Sequence, residues 1–133
     1  MFTKTFWNYG LCLHLGFVSF IATSAYLGIL PTTYKMFPHI DLLGHFVLIG
    51  LLAFFLDGVL NFRLLIPGKL SFLRAAPVFV LGIVAFEEYA QSFSPLRTAS
   101  FVDFLADALG IFFFSAFAKY LTERSLLTNT SES

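Results

Sequence analysis

The stretch from about Tyr9 to Leu30 carries no charged side chain and is close to the ~20 residues that cross ~30 Å of hydrocarbon at 1.5 Å per residue. Three more such stretches follow, giving predicted spans at about 9–30, 41–61, 75–92 and 101–121. The chain therefore reads as all-α: an integral membrane four-helix bundle over residues 1–127 with a small polar tail, 128–133, expected to be disordered. Composition agrees, because 58% hydrophobic residues and a mean hydropathy of +0.83 lie far outside the range of a soluble domain of this length. Pro31 is expected to end the first span, and Pro77 falls in the first turn of the third, where its missing N–H costs least. Lys4 ahead of an apolar run and the small residues Thr23-Ser24-Ala25 allow a signal-peptide reading, but the run is long and aromatic for one.

Formal net charge is zero, so charge gives no argument for a nucleic-acid partner. Its distribution is informative. Lys4, Arg63, Lys69, Arg74, Lys119 and Arg124 fall on one side of the predicted spans, Lys35 and Arg97 on the other. By the positive-inside rule both termini and the middle loop are cytoplasmic, in a multi-pass protein of the cell (inner) membrane. The Asn129-Thr130-Ser131 sequon is then a chance match. The single Cys12 excludes an intrachain disulfide, and too little apolar sequence precedes it for a lipoprotein site. Trp7, Tyr9, Tyr26, Tyr34 and Tyr120 are expected near the interfaces, and Phe112, Phe113 and Phe114 are lipid- or core-facing bulk.

Against this background the polar residues between Glu87 and Gly110 stand out: Glu87, Glu88, Gln91, Arg97, Asp103 and Asp107. A charge near the middle of a span costs roughly 2.5–3.5 kcal/mol, so several facing lipid would cost on the order of 10 kcal/mol. They must cluster, face inward or lie near water. Asp41 and His45 open the second span, Glu88 and Gln91 close the third, and Asp103 and Asp107 open the fourth, so all converge on the outer end with Arg97 in the adjoining loop. Asp41 and His45 share a helical face, as do Asp103 and Asp107, and Glu88 and Gln91. Glu87 points about 100° away from Glu88 and is the weaker candidate. Asp57, near the inner interface, is expected to pair with Arg63 or a loop lysine, and His14 faces the bundle.

The ordered series Glu88-x-x-Gln91-x-Phe93-x-Pro95-x-Arg97-x-x-Ser100-x-x-Asp103-x-x-x-Asp107-x-x-Gly110, with Asp41-x-x-x-His45-Phe46 upstream, resembles the signature of VanZ-like membrane proteins over about residues 26 to 118. Two positions depart from the pattern: Leu42 stands where the family usually has Lys, and Asp107 where it usually has Asn. Both make this site more acidic. The resemblance implies a small multi-span bacterial protein of the cell envelope whose namesake is associated with lowered sensitivity to the glycopeptide teicoplanin.

Each side chain has a functional and a structural reading. Arg97 suits a phosphate or carboxylate clamp, or an ion pair with Glu88 or Asp103 that fixes the loop. Asp41 and His45 can hold a metal or move protons, or serve as a helix cap and an interhelical hydrogen bond. Glu88, Gln91, Asp103 and Asp107 can supply oxygen ligands for a hard cation or a general acid and base, or staple the helices together. Candidate catalytic residues are Glu88, Asp103 and His45, with Arg97, Gln91, Asp41 and Asp107 expected to bind ligand. The excess of acid calls for a shared proton or a divalent cation such as Mg²⁺ or Ca²⁺. Gly110 shares the stripe of Asp103 and is expected to let another helix approach closely. The expected function is an outward-facing polar site for a lipid-linked envelope precursor or amphiphilic antibiotic. The alternatives are a non-catalytic interaction protein with a structural cluster, and a small proton-coupled transporter that also uses Asp57.

Overall fold

A computed structural model describes residues 2–29, 39–66, 73–93 and 100–130. They form four α-helices, α1 (Lys4–Tyr26), α2 (Ile40–Val59), α3 (Ala75–Gln91) and α4 (Phe101–Thr130). Three of them, α1, α2 and α4 as far as Leu127, are long and apolar enough to cross a membrane. With 17 residues, about 25 Å at the helical rise, α3 falls short of the usual crossing length.

Local chemistry sets the helix ends. α1 begins ahead of the predicted Tyr9 because Thr3 caps it, its Oγ1 accepting from the Phe6 N–H at 3.1 Å. It stops at Tyr26, before Pro31 is reached. Gly28 adopts φ 68°, and the turn closes with Ile29 N–H donating to the Ser24 carbonyl at 2.9 Å and Gly28 N–H to that of Ala25 at 3.2 Å. After α2 the chain reverses through Asn61 and Phe62, both at positive φ, and Leu64 pairs antiparallel with Arg74 in an isolated bridge. That bridge delivers Arg74 to the start of α3. α4 continues beyond the predicted Leu121, so the tail expected to be disordered from Thr128 is helical as far as Thr130.

α2 is the hub, packing against each of the other helices and most extensively against α4. Small residues make that seam possible. A Cβ on Gly110 would overlap the Phe46 carbonyl oxygen, and one on Gly50 would lie 2.8 Å from the Gly110 carbonyl oxygen. The close approach expected at Gly110 is therefore present, with Gly50 as its counterpart. Ala53, Val80, Val84 and Ile111 form one core cluster. Trp7, Phe54 and Ala118 form a second, in which Trp7 covers the bare backbone of Gly58 and is only 4% exposed. The one tryptophan expected as an interfacial ring is thus a core residue. Phe112 and Phe113 point outward, whereas Phe114 packs against Gly50. His14, facing the bundle as expected, lies with Nε2 2.8 Å from the Leu48 carbonyl oxygen.

Among the described residues the α1 backbone packs against α2 alone. α1 and α3 therefore stand apart on the same side of α2, and a cleft of about 540 Å³ lies between them.

Candidate functional site

The antiparallel packing collects Tyr26, Asp41, His45, Glu87, Gln91, Asp103 and Asp107 at one end of the bundle. Lys4, Arg63, Arg74 and Lys119 gather at the other, where Trp7 meets Gly58 and Ala118.

At the acidic end the central contact joins α2 to α4. His45 Nδ1 lies 3.1 and 3.2 Å from the two carboxylate oxygens of Asp107, which is 2% exposed. An ionised carboxylate only accepts, so opposite an ionised Asp107 it is Nδ1 that carries the proton, and the contact fixes the orientation of the ring. Asp103, one turn before Asp107, and Asp41, one turn before His45, stand around the same ring. Asp41, His45 and Asp103 each bring a polar atom within 4.8 Å of the other two, a set that could receive a cation. Asp41 is exposed at the rim, and His45 and Asp103 are half-buried.

The third helix differs from expectation. Glu87, the residue set aside on helical angle, lines the cleft. Its Oε1 accepts from the Tyr26 hydroxyl at 3.0 Å and its Oε2 from Gln91 Nε2 at 2.5 Å. Gln91 therefore pairs with Glu87 at i,i+4 and not with Glu88 at i,i+3. Glu88 instead accepts the Ser100 backbone N–H at 2.9 Å, while Ser100 Oγ accepts from the Asp103 N–H at 3.3 Å. Glu88 thus anchors the first turn of α4, the interhelical role that was one of its two readings. Its other oxygen, Oε1, is buried without a hydrogen-bond partner among the described residues. Arg97 lies outside the described residues, as do Lys35, Lys69 and Pro95.

The cleft joins these groups to hydrocarbon. Its walls are Leu15, Val18 and Ala22 of α1 facing Val80, Ile83 and Val84 of α3, with Leu48 and Leu52 of α2 as the floor. Asp41, His45, Glu87 and Asp107 close one end, and Tyr26 clasps α1 to α3 above it through Glu87.

At the basic end Asp57 is fully buried. Its partner is Arg74, with Nη1 2.9 Å from Oδ2, together with the Ser115 hydroxyl, which donates to the same oxygen. The pairing expected with Arg63 or a loop lysine is therefore replaced, because the Leu64–Arg74 bridge turns Arg74 inward. About 18 Å of helix separates His45 from Asp57 at 1.5 Å per residue. The packed cluster of Ala53, Val80, Val84 and Ile111 fills that interval, so the described residues supply no polar route between the two ends.

No protein-family profile, curated protein or solved structure matches this chain.

Proposed function

We propose that the chain is a VanZ-like protein of the bacterial cell membrane that holds an amphiphile, with its hydrocarbon chain in the cleft between α1 and α3 and its polar head at the acidic end. In this reading α3 is a short fourth span and both termini face the cytoplasm. The observation that carries it is the cleft itself: about 540 Å³ of apolar-walled space that ends on Asp41, His45, Glu87 and Asp107. Sites for small molecules are typically concave, largely apolar and supplied with a few convergent polar groups. A head-and-tail ligand satisfies both parts, and the gap between α1 and α3 lets it enter sideways from the bilayer. The transporter alternative gains no support from the packed interval between His45 and Asp57.

The test is a photoactivatable alkyl amphiphile in nanodiscs. Cross-links should map to Ser19, Ala22 and Val84 in the wild type and be lost in Ala22→Trp, whose indole fills the cleft. Equal labelling of the two proteins would remove the amphiphile reading. A second reading, acid–base chemistry on the bound head, is favoured by the Asp107–His45 pair, which holds an imidazole in one orientation beside the cleft. In that case His45→Gln should keep cross-linking like the wild type while cells carrying it accumulate the unconverted envelope lipid. A lipid profile identical to the wild type would leave binding alone.

Orientation has its own check. A cysteine at Thr98 should react with an impermeant reagent from outside, and a reporter fused after Arg124 should read cytoplasmic. The reverse pattern would put the acidic end in the cytoplasm.

A further inference from the structure

We infer, resting on the amphiphile reading above, that the Tyr26–Glu87 hydrogen bond is a latch across the mouth of the cleft, whose parting lets α1 swing from α3 and sets how fast an alkyl chain enters and leaves. The shape of the cleft is the starting point. α2 is its floor and α1 and α3 are its walls, so a chain arriving sideways from the bilayer passes between α1 and α3. Among the described residues these two walls share no backbone packing. Across the gap the Tyr26 hydroxyl donates to Glu87 Oε1 at 3.0 Å, and both residues line the cleft.

The two halves of the latch are held differently. Glu87 is fixed from behind, because its Oε2 accepts from Gln91, a buried residue of its own helix. Tyr26 is the last residue of α1, next to the turn in which Gly28 takes φ 68°. The side-chain anchors of α1 on α2 lie in its first half: Trp7 over Gly58, the Phe55 ring against Gly10, and His14 on the Leu48 carbonyl. From Leu15 onward the helix turns Leu15, Val18, Ala22 and Ala25 to the cleft instead of packing them on α3. Tyr26 lies 12 residues, about 18 Å, beyond His14, so a small tilt about the anchored half moves the phenol furthest. Within a packed interface this bond would be a staple. Spanning a gap, it controls an opening, as the contacts that hold active-site lids do.

The experiment measures both the gap and the traffic through it, with the full chain carrying Cys12→Ser in phosphatidylcholine nanodiscs. Spin labels at Thr23→Cys on α1 and Phe86→Cys on α3, both exposed positions, report the separation of the walls by pulsed electron paramagnetic resonance. A single narrow separation is expected with Tyr26 in place, and an added longer one in Tyr26→Phe, which removes only the hydroxyl. A decyl diazirine probe, flashed at timed intervals after mixing with protein free of spin label, should label Ser19, Ala22 and Val84 about two- to tenfold faster in Tyr26→Phe, the net worth of one protein hydrogen bond. Glu87→Gln keeps a carbonyl for the phenol, and Gln91 can turn its own amide to accept, so this variant should match the wild type in both measurements. That separates the bond from the charge. Wild-type separations and labelling rates in Tyr26→Phe would overturn the latch and leave the amphiphile reading intact. Labelling that persists in Ala22→Trp, whatever the separations show, would sink the amphiphile reading and the latch's role with it.

Discussion

Asp57→Leu is expected to be the most damaging single substitution in the chain, lowering stability by about 3–5 kcal/mol, because it leaves the Arg74 guanidinium buried without its counter-ion. The guanidinium cannot shed its charge, and the Leu64–Arg74 bridge holds it inward. The pair should nevertheless be dispensable as a unit. Asp57→Leu combined with Arg74→Met removes both charges, and the Ser115 hydroxyl can turn to the carbonyl four residues back in its own helix. The double variant should therefore recover most of the loss, as buried ion pairs replaced by apolar residues of similar volume commonly do. Thermal unfolding in detergent of both singles and the double gives the coupling directly. If Asp57→Leu alone melts within a degree or two of the wild type, the ion pair is open to water and the description of a buried triad is wrong.

The second large effect is expected at Gly110. An alanine there would put its Cβ into the Phe46 carbonyl, so the α2–α4 seam must open, at about 1–3 kcal/mol for overpacking and more for Gly110→Leu. Gly82 supplies the control: nothing lies within 4 Å of where its Cβ would be, and alanine in a helix interior is favoured over glycine by roughly 0.5–1 kcal/mol. Gly82→Ala should thus be neutral or stabilising while Gly110→Ala lowers the melting temperature. Because the same seam carries the His45–Asp107 contact, Gly110→Leu should also abolish amphiphile cross-linking in protein that still inserts. Similar melting of the two alanine variants would show that the helices do not cross as closely as described.

Much of this arrangement was legible from residues alone. Four helices followed from the lengths of the apolar runs, and the union of Asp41, His45, Asp103 and Asp107 followed from i,i+4 spacing at adjoining helix ends. Gly110 was readable because a small residue on a polar stripe has little other use between helices. The rotation of α3 was not. In a membrane bundle the lipid-facing and partner-facing sides are both apolar, so Phe86, 70% exposed, and Val84, buried, carry the same hydrophobic signal. Without that contrast Glu87 and Glu88 could not be assigned to the cleft and to α4, although the Glu87–Gln91 spacing held a clue. The end of α1 was available in Gly28, a glycine placed to close a helix, and was missed in favour of Pro31. Asp57 found Arg74 through a two-residue bridge that no local pattern announces.

The dominance of the α2–α4 seam has a consequence for the order of biosynthesis. α2 leaves the ribosome after Trp7, which covers its Gly58, but before the residues that complete its polar contacts: Arg74 comes next, then Asp107 for His45, and last Ser115 for Asp57. A nascent chain that has synthesised α3 but not α4 holds α2 with Gly50 uncovered and an imidazole lacking its carboxylate. The helix that organises the finished bundle is therefore its least complete part during translation, and α4 acts as the closing piece that the earlier helices must await.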